Sequence, residues 1–153
     1  MTAAIISAEQ THHLRHKVLW PHIATEEECV IDIDHSDGAI HLATMDQDRI
    51  VSIGSLFKTN SSKVDFKKQY RLRAMATDPD YRKHGCGKIL LTKALDILSS
   101  QDIEVLWCDA RIAAVGFYTK LGFEVIDEVY DVPRIGPHKF MYYVFGKDHR
   151  LEQ

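Results

Sequence analysis

The sequence predicts a mixed α/β fold (α+β in its arrangement of elements), with a central, mostly antiparallel sheet of six to seven strands flanked by helices. Three observations carry this. Two alternating apolar–polar segments follow one another across a short polar turn, the pattern of an antiparallel hairpin. A stripe of apolar residues at helical spacing follows directly on a glycine-bearing loop. A β-branched apolar run then leads into a short helical pattern and two more strand patterns. Elements interleaved in this order bury their apolar faces as helices laid over one sheet. The 153 residues hold no internal repeat, linker or low-complexity tract, so the chain reads as one domain over residues 1–153.

Each element has its own signal. Residues 3–8, AAIISA, are a short apolar run that suits a first strand. Residues 9–20 carry Leu14, Val18 and Leu19 at helical spacing, and Pro21 ends or kinks that helix. Residues 24–34 are ambiguous: Thr25 could cap a short helical turn, with the rest open to a loop reading. Residues 38–45 and 49–58 alternate about the turn at 46–48 and make the hairpin, and the lysine-rich stretch 59–69 is a surface loop. Residues 70–77 form a strand with Tyr70, Leu72, Ala74 and Ala76 on one face, ended by Pro79. The next helix presents Leu91, Ala94, Leu95 and Leu98 on one side. Residues 103–110 suit a buried strand. Residues 111–121 form a short helix with Ala113, Phe117 and Leu121 together, and Gly122 takes the left-handed position after it. Residues 123–132 and 138–145 are the last strands.

Bulk properties narrow the function. Apolar residues make up 45% and charged residues 27%, an ordinary globular composition. A net charge of −3 argues against a nucleic-acid binder, which needs a basic excess. Cys29, Cys86 and Cys108 are far apart and form no C-x-x-C pair, an odd set that points to a reducing compartment. The first residues carry neither a charged n-region nor a long apolar run, and no stretch reaches the length of a membrane span. The expectation is a cytoplasmic protein with no nucleic-acid or membrane partner. His12 and His16 have a metal-binding spacing, but no third ligand is in register, so no metal is expected.

The most informative stretch is DPDYRKHGCGKILLTKALDILSS, residues 78–100. Gly85 and Gly87 stand among Arg82, Lys83 and Lys88 just where a helix begins. The first N–H groups of a helix lack intrahelical partners and lie at the positive end of its dipole. Glycines let a ligand reach them, and the natural guest is a phosphate or diphosphate. A P-loop would put its first glycine where Arg82 stands and a Ser or Thr where Ile89 stands. A Rossmann fingerprint would need a third glycine where Leu90 stands.

Arg82-Lys83-His84-Gly85-Cys86-Gly87 resembles the R/Q-x-x-G-x-G/A motif of the GCN5-related N-acetyltransferase (GNAT) superfamily. LRAMATDPDYR before it resembles that family's strand beside the pantetheine arm. ARIAAVGFYTKLGFEV after it resembles the family's later alanine, Phe/Leu-Tyr, Leu-Gly-Phe pattern. The resemblance covers roughly residues 39–130 and implies a GNAT-like fold and a cytoplasmic enzyme that uses acetyl-CoA as co-substrate. It implies transfer of the acetyl group to an amine of a small-molecule or amino-acid-like acceptor, by direct attack in a ternary complex. The alternative is a non-catalytic acyl-CoA-sensing domain of the same fold; a nucleotide-phosphate binder unrelated to coenzyme A is a weaker third reading.

The resemblance also implies roles. Met75, Ala76 and Thr77 would pair with the cofactor arm and supply the oxyanion donor, and Arg82, Lys83, His84, Gly85, Cys86, Gly87 and Lys88 would hold its diphosphate. Tyr118 matches the tyrosine that protonates the departing thiolate. Arg111 stands where many members have an asparagine and would reach the cofactor or cap the helix. The glutamate that many members carry on strand 70–77 is missing, which leaves the base open. His138 is the first candidate, since histidine accepts a proton near neutrality. His41 is the second, and it is also placed with Arg73 as substrate-binding. The final strands would support a homodimer.

Overall fold

The structure, a computed structural model, describes residues 1–133 and 135–146. Seven strands form one sheet in the order β1-β2-β3-β4-β5-β7-β6. They are β1 (Thr2–Ile6), β2 (Ile40–Asp46), β3 (Arg49–Phe57), β4 (Gln69–Thr77), β5 (Val105–Arg111), β6 (Glu124–Val132) and β7 (Gly136–Val144). The β1/β2, β2/β3, β5/β7 and β6/β7 pairs are antiparallel, and β4/β5 is parallel. The mixed sheet flanked by helices agrees with the sequence expectation. Among the described residues no helix is long and apolar enough to cross a membrane. The fold divides into two compact units, one of residues 1–58 and 72–98, the other of residues 59–71 and the described residues from 99 onward.

In the first unit, the helix expected over 9–20 is three short pieces. A 3-10 turn (Glu9–Thr11) leads into α1 (His12–Leu14), then a π turn (Arg15–Leu19). The Trp20 N–H donates to the Arg15 carbonyl at 2.8 Å, an i→i+5 bond. Leu14 and Arg15, at the junction of α1 and this turn, are both fully buried. Leu14 packs with Ile53 and Ala76. Arg15 donates to both carboxylate oxygens of Asp34 at 2.8 Å, to the Cys29 carbonyl at 3.1 Å and to the Ser55 hydroxyl at 3.1 Å. Ser55 lies 2.7 Å from Nδ1 of His41, whose Nε2 donates to the Asp34 carbonyl at 2.9 Å.

The hairpin forms as expected, with Asp46 opposite Arg49 across a two-residue turn in which Gln47 has φ 54°. Its second strand is not half-buried as alternation implies: Val51 through Phe57 are all buried. Both faces are covered. A Cβ on Gly54 would lie 3.0 Å from Leu90 of α2 (Cys86–Ser100), while Ile53 meets Leu14. The predicted α2 stripe holds at Leu91, Ala94 and Leu98, with Leu95 only partly covered and Leu90 added. On β4 the expected single face breaks at Ala74, whose φ of 54° interrupts the alternation.

In the second unit, the short helix starts later than expected. A 3-10 turn (Ile112–Ala114) precedes α3 (Val115–Lys120). The tighter turn shifts the phase, so Ala113 is exposed and Tyr118, rather than the predicted Phe117 stripe, is the buried residue. The helix closes as expected at Gly122, φ 100°. Gly122 N–H donates to Thr119 O at 3.1 Å and Phe123 N–H to Tyr118 O at 3.1 Å, with the Phe123 and Tyr118 rings 5.2 Å apart. These are the two bonds and the apolar contact of a Schellman closure. Trp107 and Phe140 stack at 5.4 Å between β5 and β7.

Asp34 generates a stability prediction. Burial by itself raises its pKa, but hydrogen bonds from Arg15 and the Ile31 N–H, with the charge of Arg15, outweigh that and hold it below 3.8. A depressed folded-state pKa contributes stability that is complete above the unfolded value and lost as pH falls through the folded one. Urea denaturation should show this loss below about pH 4. Asp34→Ala should cost about 3–5 kcal/mol at pH 7, because Arg15 is left buried without its partner, and should flatten that acid limb.

Candidate functional site

In the first unit the sequence motif becomes an exposed loop with a fixed start. Asp78 precedes a 3-10 turn (Pro79–Tyr81); its N–H donates to Val51 O at 2.8 Å and its carboxylate accepts from the Asp80 N–H at 3.1 Å. Lys17 and Arg49 pair with the same carboxylate at 3.2 and 3.3 Å. Burial pushes the Asp78 pKa up, but the Asp80 N–H, Lys17 and Arg49 together bring it below the ordinary value. Tyr81 donates to Asp46 at 2.9 Å and lies under Arg49.

After this anchor the backbone turns sharply. Lys83 has φ 66° and Gly85 φ 77°. A lysine in that region carries about 1–2 kcal/mol of strain, which a glycine avoids. The Ile89 N–H donates to the Gly85 carbonyl at 3.0 Å, the first bond of α2. The N–H groups of Cys86, Gly87 and Lys88 therefore lie in the first turn with no intrahelical acceptor. A Cβ on Gly85 would meet nothing within 4 Å. Arg82, Lys83, His84 and Lys88 are exposed, and among the described residues Arg82, Lys83 and Lys88 make no ion pair. Cys86 differs from its neighbours: its thiol is buried against Tyr81 O and Met1 Sδ, and burial raises its pKa, so only its backbone can face a ligand.

The β4 segment leading into this loop holds Met75 and Thr77 half-buried and Ala76 in the core. Arg73 lies 6.0 Å from the Phe57 ring centre. His41 is buried with both ring nitrogens engaged, Nε2 by a carbonyl and Nδ1 by Ser55, so it has no ring nitrogen left for a ligand.

The second unit holds the remaining candidates. Tyr118 is 7% exposed and lies beside Cys108. Burial, then Cys108, pushes its pKa well above 10, so the phenol keeps its proton at neutral pH. The Cys108 thiol is likewise pushed up, chiefly by burial. His138 is buried and pairs across the sheet with Arg111 on one side and Tyr130 on the other. Its Nδ1 is 2.7 Å from the Gly136 carbonyl. A carbonyl only accepts, so Nδ1 donates and the neutral ring carries its lone pair on Nε2. Arg111 is exposed at the end of β5. Beside it Asp109 accepts from Arg71 at 2.8 Å and from the Tyr130 hydroxyl.

Sequence reasoning missed Asp78, Cys108 and the Asp109–Arg71–Tyr130 group. Asp78 had a local signal, an acidic residue immediately before a proline at a helical start. The other partners come from separate strands and have no local signature.

Comparison with known proteins places the chain in a family. Residues 4–135 match the family described as acetyltransferase (GNAT) domain. The chain is 36% identical over 137 residues to an uncharacterized N-acetyltransferase, YitI, of Bacillus subtilis (strain 168), covering 90% of this chain and 91% of that protein. A shorter match, 38% over 52 residues, covers 32% of this chain and 35% of the ribosomal protein bS18-alanine N-acetyltransferase of Escherichia coli (strain K12). Among solved structures, an aminoglycoside 6′-N-acetyltransferase complexed with coenzyme A superposes with a TM-score of 0.77 at 15% identity, covering 97% of this chain and 99% of that one. The ribosomal-protein-S18-alanine N-acetyltransferase of Escherichia coli gives 0.72 at 17%, covering 96% and 95%. The structural matches share the fold, and the sequence matches carry the family: this chain belongs to the GNAT superfamily of N-acetyltransferases.

Proposed function

We propose that the chain transfers an acetyl group from acetyl-CoA to an amine of a small-molecule or amino-acid-like acceptor, by direct attack in a ternary complex, as one domain in the cytoplasm. The observation that carries this reading is the exposed start of α2. Its first-turn N–H groups are without intrahelical acceptors, Gly85 is in a left-handed turn with open space beside it, and Arg82, Lys83 and Lys88 make no ion pair among the described residues. That donor set fits the diphosphate of coenzyme A, held by backbone N–H groups and flanked by mobile cations.

Bound acetyl-CoA would supply an acyl group already activated as a thioester. Met75, Ala76 and Thr77 would offer backbone groups to its arm, and the loop from Arg82 to Lys88 would fix its charged end. Tyr118, protonated at neutral pH because burial raises its pKa, is the proposed donor to the departing sulfur. His138 is the proposed base, because its donated Nδ1 leaves the Nε2 lone pair to take a proton from the amine. Arg111 would add a cation near the cofactor.

Two measurements test this. Isothermal titration calorimetry should detect coenzyme A binding, and Gly87→Glu, which sets a carboxylate against the diphosphate, should weaken it by about a hundredfold or more; unchanged affinity would remove the α2 loop from the site. Tyr118→Phe should lower turnover about a hundredfold while coenzyme A affinity stays within about twofold, read by steady-state thiol release alongside calorimetry. Wild-type turnover in that variant would end the acid role.

A further inference from the structure

A cleft of about 270 Å³ opens in the first unit, and its lining narrows the acceptor class, on the basis of the acetyl-transfer reading above. Trp20, Ile23, Val30 and Ile31 give it apolar walls, and His22, Asp32 and Arg73 complete it. It is smaller than the roughly 300–1,000 Å³ of clefts that hold drug-sized ligands, which suits a small guest.

The cleft is braced from behind. Trp20 N–H donates to Arg15 O at 2.8 Å, and the Arg15 guanidinium lies 5.9 Å from the Trp20 ring centre. Nε2 of His16 donates to Ile23 O at 2.8 Å. Arg15 holds the Cys29 carbonyl at 3.1 Å, and its partner Asp34 accepts the Ile31 N–H at 2.9 Å. Cys29, Ile31 and Asp34 are thus drawn inward, while Val30 and Asp32 are exposed on the cleft side. Val30 is 58% exposed, an apolar side chain standing in water at the cleft.

The two charged side chains of the lining differ in what they offer a guest. Arg73 is already engaged: its guanidinium lies 6.0 Å from the Phe57 ring centre, and it has a further interaction of its own, so it serves as wall. Asp32 is exposed and makes no ion pair among the described residues. An ionised carboxylate only accepts hydrogen bonds, so the group it suits is a cation with N–H donors. We propose that the acceptor is a primary amine on a small apolar body, an alkylamine or arylalkylamine. Its ammonium meets Asp32, and its carbon chain lies against Trp20, Ile23 and Val30. Arg73 is two positions before Met75 on β4, so the cleft borders the segment assigned to the cofactor arm. Once the ammonium has lost a proton, Asp32 still accepts an N–H from the neutral amine. It then faces the positive charge that returns to the nitrogen during attack. In the transfer, an N–C bond forms and the C–S bond breaks. The ammonium gives up two protons, of which one ends on the sulfur and the other in solvent.

The experiment is calorimetry at pH 7 on the enzyme saturated with coenzyme A. The probes are ethylamine, butylamine and 2-phenylethylamine, with 1-butanol and 2-phenylethanol as uncharged counterparts. Butylamine and 2-phenylethylamine should each bind about tenfold more tightly than the matching alcohol, since hydrogen bonds to charged groups are the stronger kind. Affinity should rise about fourfold per methylene from ethylamine to butylamine as the chain covers the apolar walls. Asp32→Asn should bring each amine down to the affinity of its alcohol, with coenzyme A affinity unchanged as the check on folding. Should that variant fail the check, the amine-to-alcohol ratio and the chain-length rise of the native enzyme decide. Equal affinity for amine and alcohol, a preference that survives Asp32→Asn, no rise with chain length, or no binding by any of the five probes overturns the proposal. An enzyme that binds coenzyme A but none of these amines loses the acceptor class and keeps the acetyl-transfer reading; one that binds neither loses both.

Discussion

A buried charge is tolerated inside a protein only when its partners are fixed, and in the first unit Arg15 imposes that condition on everything around it. Its guanidinium is fully buried and forked onto Asp34, with further bonds to Cys29 O and Ser55. Such a pair adds little net stability compared with well-packed apolar residues, because both ions lose water. It does demand one geometry. The partners are 14, 19 and 40 residues from Arg15 in sequence, so one side chain ties the π turn, the 29–34 loop and β3 together.

The start of α2 obeys the opposite rule. There the donors are left without intrahelical acceptors and the cations stay in solvent, where water satisfies them. The contrast with the anchor just before it is instructive. Lys17 and Arg49 are engaged by Asp78, and their charge fixes the loop; Arg82, Lys83 and Lys88 make no such pair among the described residues. Three exposed cations thus stand together at one loop of a chain whose net charge is −3. In the second unit burial and one carbonyl fix where protons sit. Burial holds the phenol of Tyr118 and the thiol of Cys108 neutral, while a single carbonyl sets the tautomer of His138.

Much of this was legible from residue order. Strand and helix types, the hairpin turn, the Gly122 closure and the glycine-bearing loop before α2 each depend on neighbours within a few positions, where steric and hydrogen-bonding rules act directly. The misreadings arose where a distant group overrode the local pattern. β3 alternates in sequence yet is buried on both faces, because Leu90 covers one side and Leu14 the other. The 3-10 turn ahead of α3 rotated the helix and put Tyr118, not the expected stripe, inside. His41 looked available as a ligand until Ser55 and Asp34 O claimed both nitrogens.

By itself, then, the sequence determined the family, the class of fold and the glycine-bearing loop that opens α2, all of which follow from short-range pattern. Only the tertiary structure decided that Arg15 would be interior, that Cys86 would turn its thiol away from the loop, and that Asp32 and Arg73 would line one cleft 41 positions apart in the chain. The reason is physical: whether a polar side chain is paired, buried or open to a ligand depends on groups that only folding brings within bonding distance.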